Sequence, residues 1–466
     1  MSQPIPHILD LITHRLARER GLKLAMDTKQ SDVRLRVLMF PWLAHGHVFP
    51  FLELAKGLAN KHFHVNLDSV KNNNNDDSSI ELVELPLPSL PELPPHYHTT
   101  KNIPPHLMPT LFKAFQMSAP AFSDIMAYLK PDLLIFDVMQ PWAAKAAASQ
   151  GVPPVYFATS GAATFSLAHH TYTHKNCDSF PHQAIRLKGY EQKGMGDAGK
   201  TIQIADAGEG FVYGVFGLSN DIVLMKTCRA LEGKYVDYLS SLCGKKIVPT
   251  GSLITFADNQ ETGGSEIMEW LGEREEGSTL YISFGSENYL SKEQMREIAI
   301  GLELSGINFL WVARAPAGSE VSLDEAVPEG FLERAKQRGL VVRGWAPQAA
   351  ILAHPAVGGF MSHCGWSSIM ESLYFGVPVV ALPLKVDQPM NARLVVEVGV
   401  GVEVARDEEG GLDGNGVAEA VKEVFVEESK EGLRSRAREV SEKMKMEGDE
   451  AFGEIARELI KICARK

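Results

Sequence analysis

Short apolar runs alternate with amphipathic stretches along most of this chain. Leu35–Phe40 is a mostly apolar run, and residues 51–58, which follow it, carry apolar side chains at helical spacing. A strand that is apolar along its length must be covered on both faces, and helices between the strands provide that cover around a parallel sheet. The alternation therefore predicts an α/β fold.

The same alternation recurs in both halves of the chain, without a repeat of the sequence itself. Further predicted strands are Asp132–Phe136, Pro154–Phe157, Leu280–Phe284, Asn308–Val312, Leu340–Arg343, Val357–Met361 and Pro378–Leu384, and further predicted helices are Trp142–Ser149, Lys292–Leu304, Ala349–Ala353 and Ser367–Phe375. This pattern predicts two doubly wound domains that face each other across a cleft. In such sheets, ligands bind at the carboxyl ends of the strands.

A cluster of proline and glycine between Ile247 and Glu275 marks the domain boundary. We predict a poorly ordered extension at residues 1–30, an N-terminal domain at 31–246 and a C-terminal domain at 247–466. The charged helices at the end of the chain are predicted to return to the N-terminal domain.

Two stretches of the N-terminal domain break the alternation. The polar run Lys71–Asp77 is a predicted loop. Leu85–Pro105 is dense in proline, which cannot occupy the interior of a helix or sheet, and it is predicted to form an irregular wall on the surface.

Composition and charge exclude several classes of protein. The chain has 46 Lys and Arg against 58 Asp and Glu, and its net charge of −12 argues against a broad nucleic-acid surface. No apolar run approaches the ~18 residues of a membrane span. Five cysteines without a CxxC pair disfavour a disulfide framework or a structural zinc site. We expect a monomer in the reducing cytoplasm. The Arg-rich first 25 residues fit either a transit peptide or an unstructured extension, and Met26 could be the native start.

Several motifs of well-known sites are missing from the sequence. No GxGxxG follows a predicted strand, and GxxxxGK[ST], GxSxG and HExxH do not occur. His45 and His47 form an HGH run, but their rings would point to opposite sides of an extended loop, and no third metal ligand is evident. We therefore expect no bound metal.

The segment Trp345–Gln388 places polar residues around a strand, a loop and a helix start. The strand Val357–Met361 leads into the loop Ser362–Ser368, in which Gly365 permits a close backbone approach. Ser367 and the next serine stand at the helix start, where N–H groups and the helix dipole favour a bound phosphate. Serines at such positions are more often only helix caps.

Other side chains of this segment fit a nucleotide and a sugar. His363 can donate a hydrogen bond to the same anion, and Glu371 offers a carboxylate that suits a vicinal diol. Trp345 supplies a flat face for a base, and Asp387 and Gln388 can bind sugar hydroxyls. Each feature alone is as compatible with packing as with binding, so the evidence lies in their combination.

The segment resembles the signature of plant family 1 UDP-dependent glycosyltransferases. Trp345 through Gln388 spans 44 residues and contains WAPQ, HPAVGGFMSHCGW and a terminal DQ. The resemblance extends from about Leu35 to the end of the chain and includes Ser283–Ser286. It implies the two-domain GT-B fold, with an acceptor-binding N-terminal domain and a UDP-sugar-binding C-terminal domain. It also implies inverting transfer of glucose from UDP-glucose, as co-substrate, to a hydroxyl of a small plant secondary metabolite, without metal or cofactor.

The resemblance assigns the donor contacts by motif. The residues implied to bind the UDP-sugar are Trp345 at the uracil, Gln348 and Glu371 at the ribose, His363, Ser368 and Ser286 at the diphosphate, and Trp366, Asp387 and Gln388 at the glucose, together with Ala346, Gly365 and Ser367. Ser367 stands where many family members have Asn. A serine can still donate, so we expect changed donor contacts rather than loss.

The resemblance also implies a catalytic base and its partner. His47, in the first strand–helix loop, would take the acceptor proton, and an unperturbed imidazole titrates near ~6.5. Asp137, at the end of the strand Asp132–Phe136, would orient it. The alternatives are a loop histidine without a role, a base function for His45, and a helix-capping role for Asp137.

The finer resemblance is to the branch that adds a sugar to a sugar of a flavonoid or terpenoid glycoside. Residues expected to shape the acceptor pocket are His45, Phe49, Met139, Gln140, Phe165 and His169. Gln388 favours glucose as the donor sugar. The segment 62–70 is shorter than the family's second strand and its loop, so a UDP-sugar-binding protein with impaired catalysis is an alternative. An epimerase would need acid–base groups on both faces of the sugar, and only the His47 and Asp137 pair is evident.

Overall fold

The computed structural model describes residues 34–61, 63–68, 80–100, 103–192, 214–256, 264–286, 288–313, 323–426 and 429–465. The predictions for residues 1–30 and for the loop Lys71–Asp77 lie outside these residues. The strands of the described part are β1 (Arg36–Phe40), β2 (His64–Asp68), β3 (Ile80–Val83), β4 (Leu133–Phe136), β5 (Pro154–Ala158), β6 (Ile222–Met225), β7 (Lys246–Pro249), β8 (Thr279–Ser283), β9 (Asn308–Ala313), β10 (Gly339–Arg343), β11 (Val357–Ser362), β12 (Val379–Ala381) and β13 (Gly401–Glu403).

The strands form two sheets, with the orders β3-β2-β1-β4-β5-β6-β7 and β10-β9-β8-β11-β12-β13. β1 pairs in parallel with β2 and β4, and β8 pairs in parallel with β9 and β11. The chain order therefore reverses beside the first strand of each sheet, which is the switch point where doubly wound sheets bind ligands. The prediction of an α/β fold with two doubly wound sheets is confirmed.

Helices of very different length connect the strands. They are α1 (His45–Ala59), α2 (Met108–Met117), α3 (Ala119–Leu129), α4 (Pro141–Ser149), α5 (Ala162–His174), α6 (Val215–Leu218), α7 (Arg229–Cys243), α8 (Gly264–Gly272), α9 (Lys292–Ser305), α10 (Leu323–Ala326), α11 (Phe331–Ala335), α12 (Gln348–Leu352), α13 (Trp366–Tyr374), α14 (Gln388–Val398), α15 (Gly414–Phe425) and α16 (Ser429–Cys463).

Helix α1 packs through the apolar stripe that the sequence predicts, but it begins earlier than expected. Phe51, Leu54 and Leu58 are fully buried, and burial of such a side chain contributes about 1.5–3 kcal/mol. The carbonyl of Ala44 accepts the N–H of His47 at 2.9 Å, so the helix already includes the HGH run. The prediction of an extended loop through His47 is therefore wrong.

Strand β2 is a full member of the first sheet. It pairs with β1 over residues 64–67 and with β3 over residues 65–68. Val65 and Leu67 are fully buried and alternate with polar residues, as in a strand with one apolar face. β2 is five residues long and paired on both sides, and residues 69–79 lie outside the described part. The shortness of segment 62–70 relative to the family stays a prediction.

The described residues of the proline-rich stretch 85–105 are irregular, as predicted, with short 3-10 turns beginning at Pro95 and Pro105. Leu93 is buried, and the N–H of Thr100 donates to the carbonyl of Leu43 at 3.0 Å. This stretch is therefore attached to the loop that precedes α1.

The chain divides into two compact units. The described parts of Met1–Phe157, Ile204–Val223 and Phe452–Lys466 form the first unit, and those of Ala158–Gln203 and Leu224–Ala451 form the second. In the first unit, α1 approaches the chain end so closely that a Cβ on Gly57 would lie 1.9 Å from the ring of Phe452. The domain boundary at residue 247 stays a prediction.

Candidate active site

Two polar residues follow the strands that meet at the switch point of the first sheet. β1 leads into α1, whose third residue is His47, and β4 leads directly to Asp137. Because β1 and β4 are parallel neighbours, both residues lie at the same edge of the sheet. Nδ1 of His47 lies 2.8 Å from Oδ2 of Asp137.

This pair has the form of a general base and its orienting group. The side chain of Asp137 is 1% exposed, whereas that of His47 is 23% exposed. An ionised carboxylate only accepts hydrogen bonds, so Nδ1 of His47 carries the proton and Nε2 is its basic nitrogen. Burial and the negative charge of Asp137 raise the pKa of Tyr156. The pair can therefore accept a proton from a hydroxyl group and stabilise the resulting imidazolium.

The structure does not support the capping alternative for Asp137. Helix α4 begins at Pro141, and its N-cap Gln140 makes no side-chain capping bond. The carboxylate of Asp137 instead accepts the N–H of Trp42 at 3.2 Å. Asp137 therefore fixes the loop before α1 as well as the imidazole.

Four predicted acceptor residues belong to the first unit. The rings of His45 and Phe49 are in edge contact, with centroids 5.4 Å apart, and Phe49 is 41% exposed. Met139 is half-buried. Gln140 is fully buried, and its Nε2 donates to a carbonyl of β1 at 3.4 Å. This burial counts against direct contact between Gln140 and an acceptor.

The other two predicted acceptor residues, Phe165 and His169, lie one turn apart on α5 in the second unit. Phe165 is buried. Burial lowers the pKa of His169, so its imidazole is neutral near pH 7. The acceptor roles of all six residues stay predictions.

In the second unit, two glycines enclose His363 at the switch point of the sheet. His363 follows β11 directly and is buried. A Cβ on Gly365 would lie 2.4 Å from Nε2 of His363, and one on Gly285, which has φ +74°, would lie 2.8 Å from Cε1. Only glycine leaves room for the ring at these positions. Ser286, the next predicted phosphate contact, is exposed.

The buried imidazole of His363 is neutral at pH 7. Burial and the positive charge of Lys385 lower the pKa of His363 to about 4. A hydrogen bond from His363 to a phosphate would therefore come from a neutral ring, and any positive charge must come from other groups.

Acid is expected to destabilise the protein through His363. The imidazole titrates near 6.5 when unfolded and at about 4 when folded, so the unfolded state binds the proton first as the pH falls. The free energy of unfolding should drop by up to about 3 kcal/mol between these values. Urea unfolding of wild type and His363→Asn at pH 7.5 and pH 5 measures the effect. We expect the free energy of unfolding to change less between pH 7.5 and pH 5 in the variant than in the wild type. An equal change in both proteins would contradict this assignment.

Gln348 is hydrogen-bonded to Glu371, the other residue predicted to contact the ribose. Its Nε2 donates to Oε2 of Glu371 at 2.7 Å and to Oγ of Ser368 at 3.2 Å. Burial raises the pKa of Glu371, and the hydrogen bond from Gln348 lowers it. Trp345 is 51% exposed, and Ala346 beside it is half-buried. The structure brings these five residues to one edge of the sheet, and their contacts with UDP stay predictions.

Asp387 and Gln388, predicted to contact the glucose, stand at the start of α14. Oε1 of Gln388 accepts the N–H groups of Leu384 and Lys385 at 3.0 and 2.9 Å. Oδ2 of Asp387 accepts from Nδ2 of Asn391 at 3.1 Å. These bonds fix both side chains before a ligand is bound.

Trp366 and Ser367 at the start of α13 both contact Lys226. The indole N–H of Trp366 donates to the carbonyl of Lys226 at 2.6 Å, and Nζ of Lys226 donates to Oγ of Ser367 at 2.9 Å. Trp366 is buried. The predicted contact of Trp366 with glucose stays a prediction.

Two residues that support this loop were not predicted from the sequence. Asn391 donates to the carbonyl of Cys364 at 3.0 Å and so holds this residue at φ +63°, a strained conformation for a non-glycine residue. Lys226 follows the apolar run of β6. A polar residue directly after a buried parallel strand is a signal that could have identified Lys226.

Within the described ranges, no three His, Cys, Asp or Glu side chains come together where a metal ion could bind. The helices of these ranges include none with the length and apolarity that crossing a membrane requires. The first unit holds a partly exposed imidazole paired with a buried carboxylate. The second unit holds a buried histidine just before a helix start, the kind of position that favours a bound phosphate. Groups of these two kinds are what a transferase with a phosphate-linked donor requires.

Two family models match consecutive parts of the chain. The model described as "Glycosyltransferase, N-terminal domain" matches residues 34–253, and that described as "UDP-glucoronosyl and UDP-glucosyl transferase" matches residues 254–435. The solved structure of a UDP-glycosyltransferase (UGT2) from Phytolacca americana, complexed with UDP-2fluoro-glucose and pterostilbene, is similar with a TM-score of 0.74. It is 25% identical, and the match covers 92% of this chain and 100% of that one.

Curated relatives match over nearly their whole length. Mogroside IIIx synthase of Siraitia grosvenorii is 46% identical, over 94% of this chain and 95% of its own. Beta-D-glucosyl crocetin beta-1,6-glucosyltransferase of Gardenia jasminoides is 44% identical, over 90% and 97%. Flavanone 7-O-glucoside 2''-O-beta-L-rhamnosyltransferase of Citrus maxima is 40% identical, over 94% and 100%. The chain belongs to the family of UDP-dependent glycosyltransferases, as the sequence motifs predicted, and its fold is GT-B.

Proposed function

We propose that this enzyme transfers glucose from UDP-glucose to a sugar hydroxyl of a flavonoid or terpenoid glycoside. The transfer inverts the anomeric carbon and needs no metal ion. The observation that carries the proposal is the His47–Asp137 pair, in which a partly exposed imidazole is held 2.8 Å from a buried carboxylate.

The chemistry of each group follows from its position. Nε2 of His47 takes the proton of the acceptor hydroxyl while the oxygen of that hydroxyl bonds to the anomeric carbon of the glucose. The bond between that carbon and UDP breaks, and its electron pair leaves with UDP. Attack on the face opposite UDP turns an α-linked donor into a β-glycoside. The N–H groups at the start of α13 offset the charge that grows on UDP, which supports catalysis without a metal.

The names of two relatives support a glycoside as acceptor. The Gardenia enzyme is named for glucosylation of a glucosyl crocetin, and the Citrus enzyme for rhamnosylation of a flavanone glucoside. These two names differ in the donor sugar. Glucose is proposed here on the resemblance at Gln388.

The acceptor class is tested with matched pairs of aglycone and monoglucoside, one pair from a flavonoid and one from a triterpenoid. UDP release from UDP-glucose is measured with and without EDTA. We expect kcat/KM to be at least about 10-fold higher for the glucosides, because a site built for sugar hydroxyls rejects acceptors that leave its polar groups unpaired. EDTA should not change the rate, and NMR of the product should show a β-linkage.

Two other outcomes would contradict the proposal in different ways. Turnover of the aglycones alone would show that the acceptor is not a glycoside, but it would still support glucose transfer. Thermal protection by UDP-glucose without consumption of any acceptor would show donor binding without catalysis.

A further inference from the structure

Lys226 is an almost fully buried lysine at the carboxyl end of β6, with 2% of its surface exposed. Lysine is rarely buried to this extent, because removing an ammonium group from water is costly unless other groups compensate. Its Nζ donates to Oγ of Ser367 at 2.9 Å. The ammonium group therefore lies at the first turn of α13, which carries predicted donor contacts.

The backbone fixes this position from a second direction. The carbonyl of Lys226 accepts the indole N–H of Trp366 at 2.6 Å. Lys226 thus binds the first two residues of α13, one through its main chain and one through its side chain. Its charge is held in a defined place relative to the helix start and cannot swing away as a surface lysine can.

The charges around this helix start explain why a cation is useful there. His363 is neutral at pH 7, so it supplies a donor but no charge. The helix dipole contributes roughly half a positive charge, whereas the diphosphate of UDP-glucose carries about two negative charges. The charge of Lys226 already acts at this edge, because it favours the ionised form of the half-buried Glu371.

We propose that Lys226 is a binding and positioning residue of the donor site, which supplies positive charge for the diphosphate of UDP at the start of α13. Ser367 stands where many family members have Asn, and its Oγ accepts the hydrogen bond from Nζ of Lys226. The inference rests on the proposed donor site. Because the charge on UDP grows as the glycosidic bond breaks, Lys226 also favours departure of UDP.

The test compares a charged with an uncharged ligand of the same site. Dissociation constants of UDP and uridine are measured by calorimetry and ligand-observed NMR for wild type, Lys226→Met and Lys226→Gln. We expect UDP to bind about 10-fold or more weakly to both variants and uridine to change by less than about 2-fold, because only UDP carries the phosphates. Lys226→Gln can still bond Ser367, and it serves as a second neutral variant if Lys226→Met does not fold.

Lys234→Met is the matched control. Lys234 lies on α7 with its side chain 48% exposed, in an ion pair with Glu397, and its loss should leave UDP binding unchanged. Equal weakening of UDP and uridine by the Lys226 variants would show a purely structural role and overturn the inference. Unchanged UDP affinity would overturn it as well. Failure of the wild type to bind UDP would overturn the proposed donor site itself.

Discussion

Replacement of His47 by alanine is expected to lower kcat for glucose transfer by about 10²–10⁴-fold, the usual contribution of a positioned general base. The KM for UDP-glucose should change little, because His47 is not among the residues predicted to bind the donor. Without the imidazole, the acceptor hydroxyl must lose its proton to water. Continuous measurement of UDP release at saturating donor tests this result.

His64→Ala is the control for this experiment. His64 begins β2, and its Nε2 lies 3.8 Å from Glu81, so removing it changes an imidazole of the same unit without touching the His47–Asp137 pair. We expect near wild-type kcat for His64→Ala. A kcat for His47→Ala within about 10-fold of wild type would contradict the assignment of His47 as the base.

The second large effect is expected for Asp137→Asn, with a loss in kcat of about 10²–10⁴-fold. The amide group of asparagine can donate to Nδ1 of His47, which would move the ring proton to Nε2 and remove the basic nitrogen. It also cannot stabilise the imidazolium as a carboxylate does. The variant should keep its affinity for UDP-glucose, and this separates a lost orienting group from a damaged donor site.

Asp132→Asn provides a matched control at the other end of the same strand. Asp132 precedes β4 and accepts the N–H of Arg36 at 2.9 Å, whereas Asp137 follows β4. Both substitutions replace an aspartate that flanks the same strand, so a general effect on the sheet should appear in both. Equal kcat values for the two variants would contradict a special role for Asp137. Unfolding curves in urea identify a variant that has lost its fold.

The resemblance to the family pointed to His47 and Asp137, and the pattern of strands explains why the two residues meet. A buried apolar strand ends just before Asp137, and parallel strands deliver the residues that follow them to one edge of the sheet. The helical backbone at His47 was not predictable. The sequence predicts an extended loop at the HGH run, but α1 begins at His45, two residues before His47. The N-cap Ala44 makes no side-chain capping bond, so no capping residue marks this helix start.

Strand β2 is a case in which the sequence pattern is weak. Its alternating pattern of Val65 and Leu67 with polar residues is weak over five residues, and only pairing with β1 and β3 stabilises it. A short strand has no stability by itself. The pairing of this strand on both sides therefore became visible only in the structure.

By itself, the sequence determined the α/β class, the family and most strands of the second sheet, whereas β3, β6, β7 and β13 were not predicted. Hydrophobic spacing and turn residues act over a few positions, so they can be read without the fold. Only the tertiary structure decided which distant residues meet. Lys226 and Ser367 are 141 positions apart, and their hydrogen bond exists because β6 and α13 bring them together. Such a contact depends on the packing of whole elements, and no local pattern of residues encodes it.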